Sequence, residues 1–193
     1  MKFKVEKFVL GKLQSNFYVV TDVETGESAA IDPGYSATAL FESLGTKNIK
    51  YILLTHAHFD HVLGAEELKR FVNAPIALSS TDAAILDEKI TPDILLENGD
   101  TLAFGSGSIR IIGTPGHTAG SLCFIVGDLL FSGDTMFRGT IGRCDFPTGS
   151  YDAMLKSIEK LRGFSDNYRV LPGHGEETTI NAERRDNNFF KIG

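Results

Sequence analysis

Short apolar runs recur along this chain between polar turns, and this pattern predicts many strands and fewer helices. In the first third of the chain, polar and apolar residues alternate, which is typical of strands with one buried face. Three strands are predicted there: Phe3–Leu10, Phe17–Asp22 and Glu27–Ile31. The segment Glu24-Thr25-Gly26 supplies the turn between the last two of them.

Apolar residues with helical spacing begin in the second quarter of the chain. Leu40, Phe41 and Leu44 lie on one face of a helix predicted over Ser36–Leu44, and Gly45 is placed to end it. Three further helices are predicted: Ala65–Val72, a short helix from a cap at Ser79 or Ser80 to about Leu86, and a helix capped by Ser150 with Met154, Leu155, Ile158 and Leu161 on its apolar face.

Strands resume in the second half of the chain. The predicted ones are Thr101–Phe104, Ile109–Ile112, Leu122–Val126, Leu129–Phe131 and Tyr168–Leu171. An apolar strand followed by Thr and then His occurs at Tyr51–His56 and again at Ile111–His117, which suggests two related halves. This order of elements predicts an α+β fold whose mixed sheets have helices outside and loops gathered at one edge.

Length and composition predict one globular domain over residues 1–193. A chain of 193 residues with 42% hydrophobic content can bury a substantial core. Its net charge of −6 excludes a nucleic-acid partner held mainly through phosphates, because such a partner requires a basic face. No stretch approaches the ~20 apolar residues that span a bilayer, so we expect no membrane association.

Two features predict a cytoplasmic protein. The first residues, MKFKVEKFVLGK, lack the apolar core of a secretion signal. The two cysteines, Cys123 and Cys144, are too few for a disulfide framework, which favours a reducing compartment. We expect Cys123 to be a small buried hydrophobic residue. We expect no catalytic role for Cys144, because no histidine is left over to activate it.

All five histidines fall in three short motifs that follow apolar runs. The motif THAHFDH contains His56, His58, Asp60 and His61, whereas TPGHTAGS contains His117 and LPGHG contains His174. Each motif is therefore expected in a loop at the end of a buried strand, where nitrogen and oxygen ligands can surround a small cation. This clustering predicts hydrolysis at a dinuclear metal centre.

The spacing within the first motif predicts how two metals are shared. Alternate residues after a strand project to one side, so His56 and His58 can bind one cation while Asp60 and His61 reach a second. Three further ligands are needed to fill both metal sites. The candidates are His117, Asp134 and His174. Solvated or capping histidines do not explain so dense a cluster, and closed structural zinc sites are typically rich in cysteine.

These motifs, together with FSGDTMF and with IDPG near the start, closely resemble those of the metallo-β-lactamase superfamily. The stretch FRGTIGRCDFPTGS is most similar to the glyoxalase II (hydroxyacylglutathione hydrolase) branch in its short bacterial and archaeal form. The resemblance covers the chain from Asp32 to the C-terminus. It implies a four-layer αββα sandwich, with helices outside two mixed sheets and the metals at one edge between the sheets.

The resemblance also implies a set of seven ligands. Three would bind the first metal, three the second, and one would bridge them: His56, His58 and His117; Asp60, His61 and His174; and Asp134. The carboxylates Asp60 and Asp134 are then the candidate catalytic residues. Full-length glyoxalase II has a C-terminal helical domain that contacts glutathione, and we expect that domain to be missing here, because the chain ends shortly after His174.

Such a centre would cleave a small acyl thioester, such as a hydroxyacyl-glutathione, by a metal-bound hydroxide. Divalent metals lower the pKa of bound water from 15.7 towards ~7 and polarise a carbonyl group. A thiolate with a pKa near ~8.5 leaves without a strong general acid, whereas an amide would need one. We favour two zinc ions, although imidazole and carboxylate ligands also accept iron or manganese. The expected partner is a small-molecule acyl thioester or thiol.

Several residues outside the ligand set are candidates for supporting roles. Asp32 in IDPG is either a hydrogen-bond partner of a ligating imidazole or a simple turn residue. Arg143 is the candidate substrate-binding residue, because it resembles the position where relatives place a cation for a carboxylate of the thiol. A surface arginine is the alternative, and Arg138 is a weaker candidate for the same role. Tyr35 and Phe59 either line the pocket or serve packing.

Two other functions stay open from the sequence. A mononuclear iron persulfide dioxygenase of the same fold resembles this chain in GRCDF and in the spacing of His117, Asp134 and His174, so the ligand set does not separate it from a hydrolase. A non-catalytic metal-binding module would leave the open coordination positions unused. Lactonase or β-lactamase activity is disfavoured by the GRCDF region. Two metals without oxygen uptake would support hydrolysis, and one iron with oxygen consumption would support the dioxygenase.

Overall fold

The computed structural model describes residues 2–86 and 88–191, which form two six-stranded sheets and a separate two-stranded hairpin. The strands are Phe3–Leu10 (β1), Ser15–Asp22 (β2), Glu27–Ile31 (β3), Asn48–Leu53 (β4), Ile76–Ser79 (β5), Ile94–Leu96 (β6), Thr101–Phe104 (β7), Gly107–Gly113 (β8), Leu122–Val126 (β9), Leu129–Gly133 (β10), Met136–Phe137 (β11), Thr140–Ile141 (β12), Arg169–Pro172 (β13) and Thr178–Thr179 (β14). The helices are Thr38–Leu44 (α1), Phe59–Val62 (α2), Ala65–Val72 (α3), Ser80–Ala83 (α4), Tyr151–Arg162 (α5) and Ile180–Asp186 (α6), followed by a 3-10 turn at Asn188–Lys191.

Both large sheets are mixed, as the sequence predicts. The first sheet follows chain order from β1 to β6, with antiparallel pairs up to β3 and parallel pairs beyond it. The second sheet has the order β14-β13-β10-β9-β8-β7, in which the pair of β10 with β13 is parallel and the others are antiparallel.

Alternation along the strands separates the apolar side chains into three layers. In β2, Tyr18 faces the core between the sheets, whereas its neighbour Phe17 faces the helices α1 and α3. In β9, Phe124 faces the same central core, whereas Cys123 packs against the layer that contains Met154 of α5. The fold is therefore the four-layer αββα sandwich that the sequence predicts, and Cys123 is buried as expected.

Most of the predicted elements are present with similar bounds, and the differences lie at their ends. The strand predicted from Phe17 begins at Ser15, because Ser15 and Asn16 still pair with β1. The helix predicted from Ser36 begins at Thr38. Ser79 does cap α4, since its side chain accepts a hydrogen bond from the Asp82 amide, but this helix ends at Ala83 rather than near Leu86.

Five strands that run in the same direction within their sheets end close to the candidate site. Asp32 follows β3, and the motif at 56–61 follows β4, which is parallel to β3. His117, Asp134 and His174 follow β8, β10 and β13, which share one direction in the second sheet. Loops at the carboxyl ends of parallel strands meet at one edge. The longest described helix has 12 residues, and none of the described helices could span a bilayer.

Candidate metal centre

The structure brings the seven side chains expected from the sequence to one edge between the two sheets. Their ligand atoms form three overlapping groups, within each of which all atoms lie within 4.8 Å of one another: His56, His58 and His117; His56, His61 and Asp134; and Asp60, His61 and His174. The predicted convergence of distant loops is therefore present. The role of these side chains as metal ligands stays a prediction.

Two of these groups are compact. In the first, His58 Nδ1 lies 2.8 Å from His117 Nε2, and the ring of His56 packs edge-on against both. In the other, His174 Nε2 lies 3.2 Å from Asp60 Oδ2 and 3.3 Å from His61 Nε2. In each group, three candidate ligand atoms thus lie around one position that a metal ion could occupy.

Asp134 lies between the two groups. Its Oδ2 atom is 3.5 Å from His117 Nε2 and 3.6 Å from His174 Nε2. Its Oδ1 atom is 3.5 Å from His61 Nε2. The carboxylate can therefore contact a cation on either side.

The donor set fits a pair of small divalent cations. Four ligands in a tetrahedron at ~2.0–2.1 Å from zinc are ~3.3 Å apart, and the observed separations of 2.8–3.6 Å bracket that value. Among the described residues, His56 Nε2 and Asp134 Oδ1 are buried without a hydrogen-bond partner. Buried polar atoms are normally satisfied, and a cation would satisfy both of these.

Hydrogen bonds fix which nitrogen of His56 faces the cluster. Thr55 Oγ1 donates its one proton to Asp32 Oδ2 over 2.7 Å, so it accepts from His56 Nδ1 at 3.0 Å. His56 Nδ1 must therefore carry the proton. Nε2 of His56 then carries a lone pair, which points towards the other candidate metal ligands.

Three other imidazoles each donate a hydrogen bond from Nδ1 to an oxygen atom that can only accept, and this bond fixes their orientation. His61 Nδ1 donates to Asp32 Oδ2 over 2.9 Å. His117 Nδ1 donates to the Arg143 carbonyl over 2.7 Å, and His174 Nδ1 donates to the Leu13 carbonyl over 3.1 Å. In each case the lone pair of Nε2 is left to coordinate a metal ion. Such outer hydrogen bonds hold metal-binding histidines in one tautomer and one orientation.

Asp32 supports both groups of donors at once. Besides the contacts to Thr55 Oγ1 and His61, its Oδ1 atom accepts from the Thr55 amide over 2.7 Å. It is buried and has a φ of +56°, a left-handed conformation that aspartate tolerates better than most residues. Residues held in such conformations are found preferentially at functional sites.

Asp82 is a structural support that the sequence analysis missed. This fully buried carboxylate accepts from the Ala57 amide over 2.9 Å and from Thr118 Oγ1 over 2.8 Å. Its second oxygen accepts from the Gly120 amide over 2.8 Å. Asp82 thereby ties the loop after β4 to the loop that carries His117.

Asn16 plays the corresponding part for the His174 loop, and the sequence analysis missed it too. Its buried amide donates to the Pro172 carbonyl over 2.8 Å and to the Gly175 carbonyl over 3.0 Å, and its main-chain N–H donates to the Gly173 carbonyl over 2.7 Å.

A Cβ at Gly173 would lie 2.2 Å from Asp134 Oδ1, so only glycine fits there.

The electrostatic environment differs among the imidazoles. Burial, and then the neighbouring imidazoles, hold the pKa of His56 well below its usual value. Burial also lowers the pKa of His61, but the carboxylates of Asp134 and Asp32 outweigh it and raise that pKa to about 9. Burial also lowers the pKa of His174, but the hydrogen bond to Asp60 and the negative charges of Asp134 and Asp60 together outweigh it and raise that pKa. A cation that binds Nε2 of His61 or His174 must displace the proton of the charged imidazole.

A cavity of about 760 Å³ opens above the seven side chains. Its walls are mostly apolar and are formed by Leu13, Phe59, Phe137, Ile141, Phe146 and Pro147. Arg143 also lines it, with Nε and Nη2 bound to Asp145 at 2.7 Å and the guanidinium carbon 4.3 Å from the centre of the Phe146 ring.

The other candidates from the sequence lie farther from the cavity. Arg138 pairs with Glu176 and does not line it. Tyr35 packs behind Phe59, with ring centres 6.5 Å apart, and is not a lining residue. Cys144 is half-buried outside the lining, and burial raises the pKa of its thiol.

The family follows from a match over most of the chain. The model of the metallo-beta-lactamase superfamily matches residues 10–174. The chain belongs to this superfamily. The resemblance seen in the motifs and the predicted sandwich are thereby confirmed.

Three known proteins illustrate the match. The hydroxyacylglutathione hydrolase GloC of Haemophilus influenzae is 34% identical over an alignment that covers 96% of this chain and 97% of that protein. The crystal structure of the B3 metallo-beta-lactamase BLEG-1 has a TM-score of 0.89 at 31% identity and covers 98% of this chain and 100% of its own. The structure of TTHA1623 in a di-iron-bound form has a TM-score of 0.85 at 33% identity, with coverage of 95% and 99%.

Proposed function

We propose that this protein is a metal-dependent hydrolase that cleaves a small acyl thioester, such as a hydroxyacyl-glutathione. The observation that carries the proposal is the meeting of two three-donor groups around Asp134 at the base of a largely apolar cavity. The similarity to GloC, a hydroxyacylglutathione hydrolase, supports the choice of a thioester.

We assign two divalent ions to this centre. The proposed ligands are His56, His58 and His117 for the first ion, Asp60, His61 and His174 for the second, and Asp134 for both. Zinc is favoured because the donors are imidazoles and carboxylates at tetrahedral spacing, and iron or manganese are the alternatives. When bound, such ions generate a nucleophile from coordinated water near neutral pH and polarise the substrate carbonyl.

Asp60 and Asp134 are the proposed catalytic carboxylates. Both line the cavity in which the thioester would bind. Burial raises the pKa of Asp60, but the hydrogen bond from His174 and the charges of His61 and His174 together outweigh it and lower that pKa, so Asp60 stays ionised at neutral pH. The two carboxylates offset only half of the four charges of two divalent ions. The centre therefore stays electropositive and attracts an anionic substrate.

The leaving group explains the preference for a thioester over an amide. All five histidines of the chain belong to the cluster, so none is left to protonate an amine. A thiolate with a pKa near ~8.5 departs without such an acid. The available residues are therefore sufficient for thioester cleavage.

Arg143 is proposed to bind a carboxylate of the thiol part of the substrate. Its pair with Asp145 uses Nε and Nη2, whereas Nη1 has no hydrogen-bond partner among the described residues and can donate to a second acceptor. Asp32 is proposed to act through His56 and His61, whose imidazoles it orients directly or through Thr55.

A cytoplasmic location completes the proposal. Cys123 and Cys144 are both free thiols. Thiols persist in a reducing compartment, and small acyl thioesters are formed from thiols. Fractionation of cells that express the protein from its own promoter would test the location, and recovery from an extracytoplasmic fraction would contradict it.

The function is tested by measuring metal content and three activities on the same purified sample. Two metal ions per chain and hydrolysis of lactoyl-glutathione without oxygen uptake support the proposal. One iron with oxygen consumption that depends on glutathione persulfide would replace it with a dioxygenase. Faster cleavage of a chromogenic β-lactam than of any thioester would indicate a β-lactamase, which is the activity named for BLEG-1. Metal-loaded protein that is inert in all three assays would indicate a binding module.

A further inference from the structure

The cavity above the candidate metal centre has two chemically different ends. At one end, the Arg143 carbonyl holds His117, and the Phe146 ring lies 4.6 Å from the ring of His58. At the other end, the Leu13 carbonyl holds His174 over 3.1 Å. We call these the Arg143 end and the Leu13 end.

The Leu13 end of the cavity is lined by apolar side chains. The Phe137 ring lies 6.1 Å from the ring of His174, on the same side of the centre as Leu13. Phe59 stacks edge-on against Tyr35, and Tyr35 in turn packs directly under Gly11, in the turn that leads to Leu13. Leu13, Phe59 and Phe137 therefore face the cavity together.

Two of these three side chains are exposed, although the protein has a large core in which apolar groups are buried. Leu13 is 51% exposed and Phe59 is 55% exposed. Among the described residues that line the cavity, Arg143 is the only charged one outside the candidate ligands. Exposed apolar side chains that line a cavity together with a few polar groups are typical of a ligand-binding site.

We propose that the Leu13 end binds the acyl group of the substrate and that this group is a hydrocarbon chain rather than a short hydroxyacyl group. This inference rests on the proposed thioester hydrolysis. The carboxylate of the thiol part pairs with Arg143, and Asp134 lies between the two ends, so the acyl group extends over Leu13, Phe59 and Phe137. A two- or three-carbon hydroxyacyl group would leave most of that surface in contact with water.

The direct test is a series of glutathione thioesters that differ only in the acyl group. Each methylene that moves from water to an apolar wall favours binding roughly two- to fourfold. We therefore expect kcat/KM to rise from butyryl to hexanoyl by about tenfold, and the hexanoyl thioester to exceed the lactoyl thioester. Equal rates for all chain lengths, or a preference for lactoyl, would overturn the inference and leave thioester hydrolysis intact. No cleavage of any thioester by metal-loaded protein would overturn both.

A binding measurement gives a second readout that does not depend on turnover. S-hexylglutathione and S-methylglutathione have the same carrier and cannot be hydrolysed. Calorimetry should give a Kd for S-hexylglutathione at least tenfold below that of S-methylglutathione, because the longer chain covers the Leu13 end. Equal Kd values would contradict the inference.

A matched pair of leucine variants assigns the preference to this surface. Leu13→Ala shortens the side chain but leaves the carbonyl that holds His174, so metal content should not change. We expect the hexanoyl-to-butyryl ratio to fall about threefold. Leu95→Ala is the control, because Leu95 is 58% exposed in β6 and does not line the cavity. An equal change in both variants, or none in Leu13→Ala, would contradict the assignment.

Discussion

The base of the site and its mouth are built in opposite ways. The base consists of the buried polar residues Asp32, Asp82 and Asn16, each of which makes at least three hydrogen bonds to loops that carry candidate ligands. The mouth consists of Leu13, Phe59 and Arg143, which are half or more exposed and make few contacts. From this difference we expect the geometry of the candidate metal centre to depend on a network that tolerates little change, and the choice of substrate to depend on exposed residues whose substitution costs little stability.

The physical reason is the cost of an unpaired buried polar group. Removing the side chain of one of the three residues of the base leaves buried polar groups of the loops without a hydrogen-bond partner, each at a cost of about 1–3 kcal/mol. Removing an exposed side chain at the mouth typically changes stability by no more than about 0.5 kcal/mol. Substitutions at the base should therefore alter metal binding, and substitutions at the mouth should alter KM or selectivity.

The largest effect is expected for a candidate ligand itself. His58→Ala removes one of the three donors of the first group, so the variant should lose metal at that position together with turnover. Elemental analysis and thioester hydrolysis measure the two losses. Wild-type turnover in this variant would show that the ligand assignment is wrong.

Asp32→Asn comes next, because it places an amide NH₂ against two groups that both donate, Thr55 Oγ1 and His61 Nδ1. We expect a 10- to 100-fold loss of metal affinity, the usual effect of removing a partner that orients a metal-binding histidine. The control is Asp128→Asn, which removes the same charge from the exposed turn between β9 and β10. Equal metal affinities in the two variants would contradict a positioning role for Asp32.

Asn16→Ala should act more selectively. It releases the Pro172–Gly175 turn that carries His174 and leaves the first group of donors untouched. At limiting zinc we expect the second ion to bind about tenfold more weakly while the first binds as in the wild type. Titration with a colorimetric chelator separates the two steps. Equal weakening of both ions would indicate general loosening of the fold instead.

The smallest effect is expected at the mouth. Arg143→Ala removes the guanidinium but keeps the main-chain carbonyl that orients His117. Since the side chain is exposed, we expect KM for glutathione thioesters to rise only about two- to fivefold, with kcat and metal content nearly unchanged. Arg143→Lys should recover part of the loss. A fall in kcat of a hundredfold would show that this side chain does more than bind substrate.

The same contrast explains what could be predicted from the sequence. The convergence of the seven candidate ligands was predictable because histidine and aspartate at close spacing after apolar runs have few uses other than metal binding. Asp82 and Asn16 were not, because their partners are main-chain groups of loops far away in the sequence. A single aspartate in STDA or asparagine in SNFYVV gives no local indication of such contacts.

Prediction of the fold failed at specific elements for similar reasons. Strand β5 is four consecutive buried residues, and a run this short has no periodicity that separates strand from helix. Helix α6, with the sequence INAERRD, has too few apolar positions to form a clear stripe. It is held instead by the Thr179 cap and by buried hydrogen bonds of Glu183 to Thr178 and Asn187.

The central claim is that two cations bind side by side between the sheets, and anomalous scattering at the zinc edge from a crystal of zinc-loaded protein tests it most directly. We predict two peaks ~3.5–4 Å apart, one at ~2.1 Å from the nitrogens of His56, His58 and His117 and the other equally near Asp60, His61 and His174, with Asp134 touching both. A single peak, or peaks away from these donors, would contradict the account.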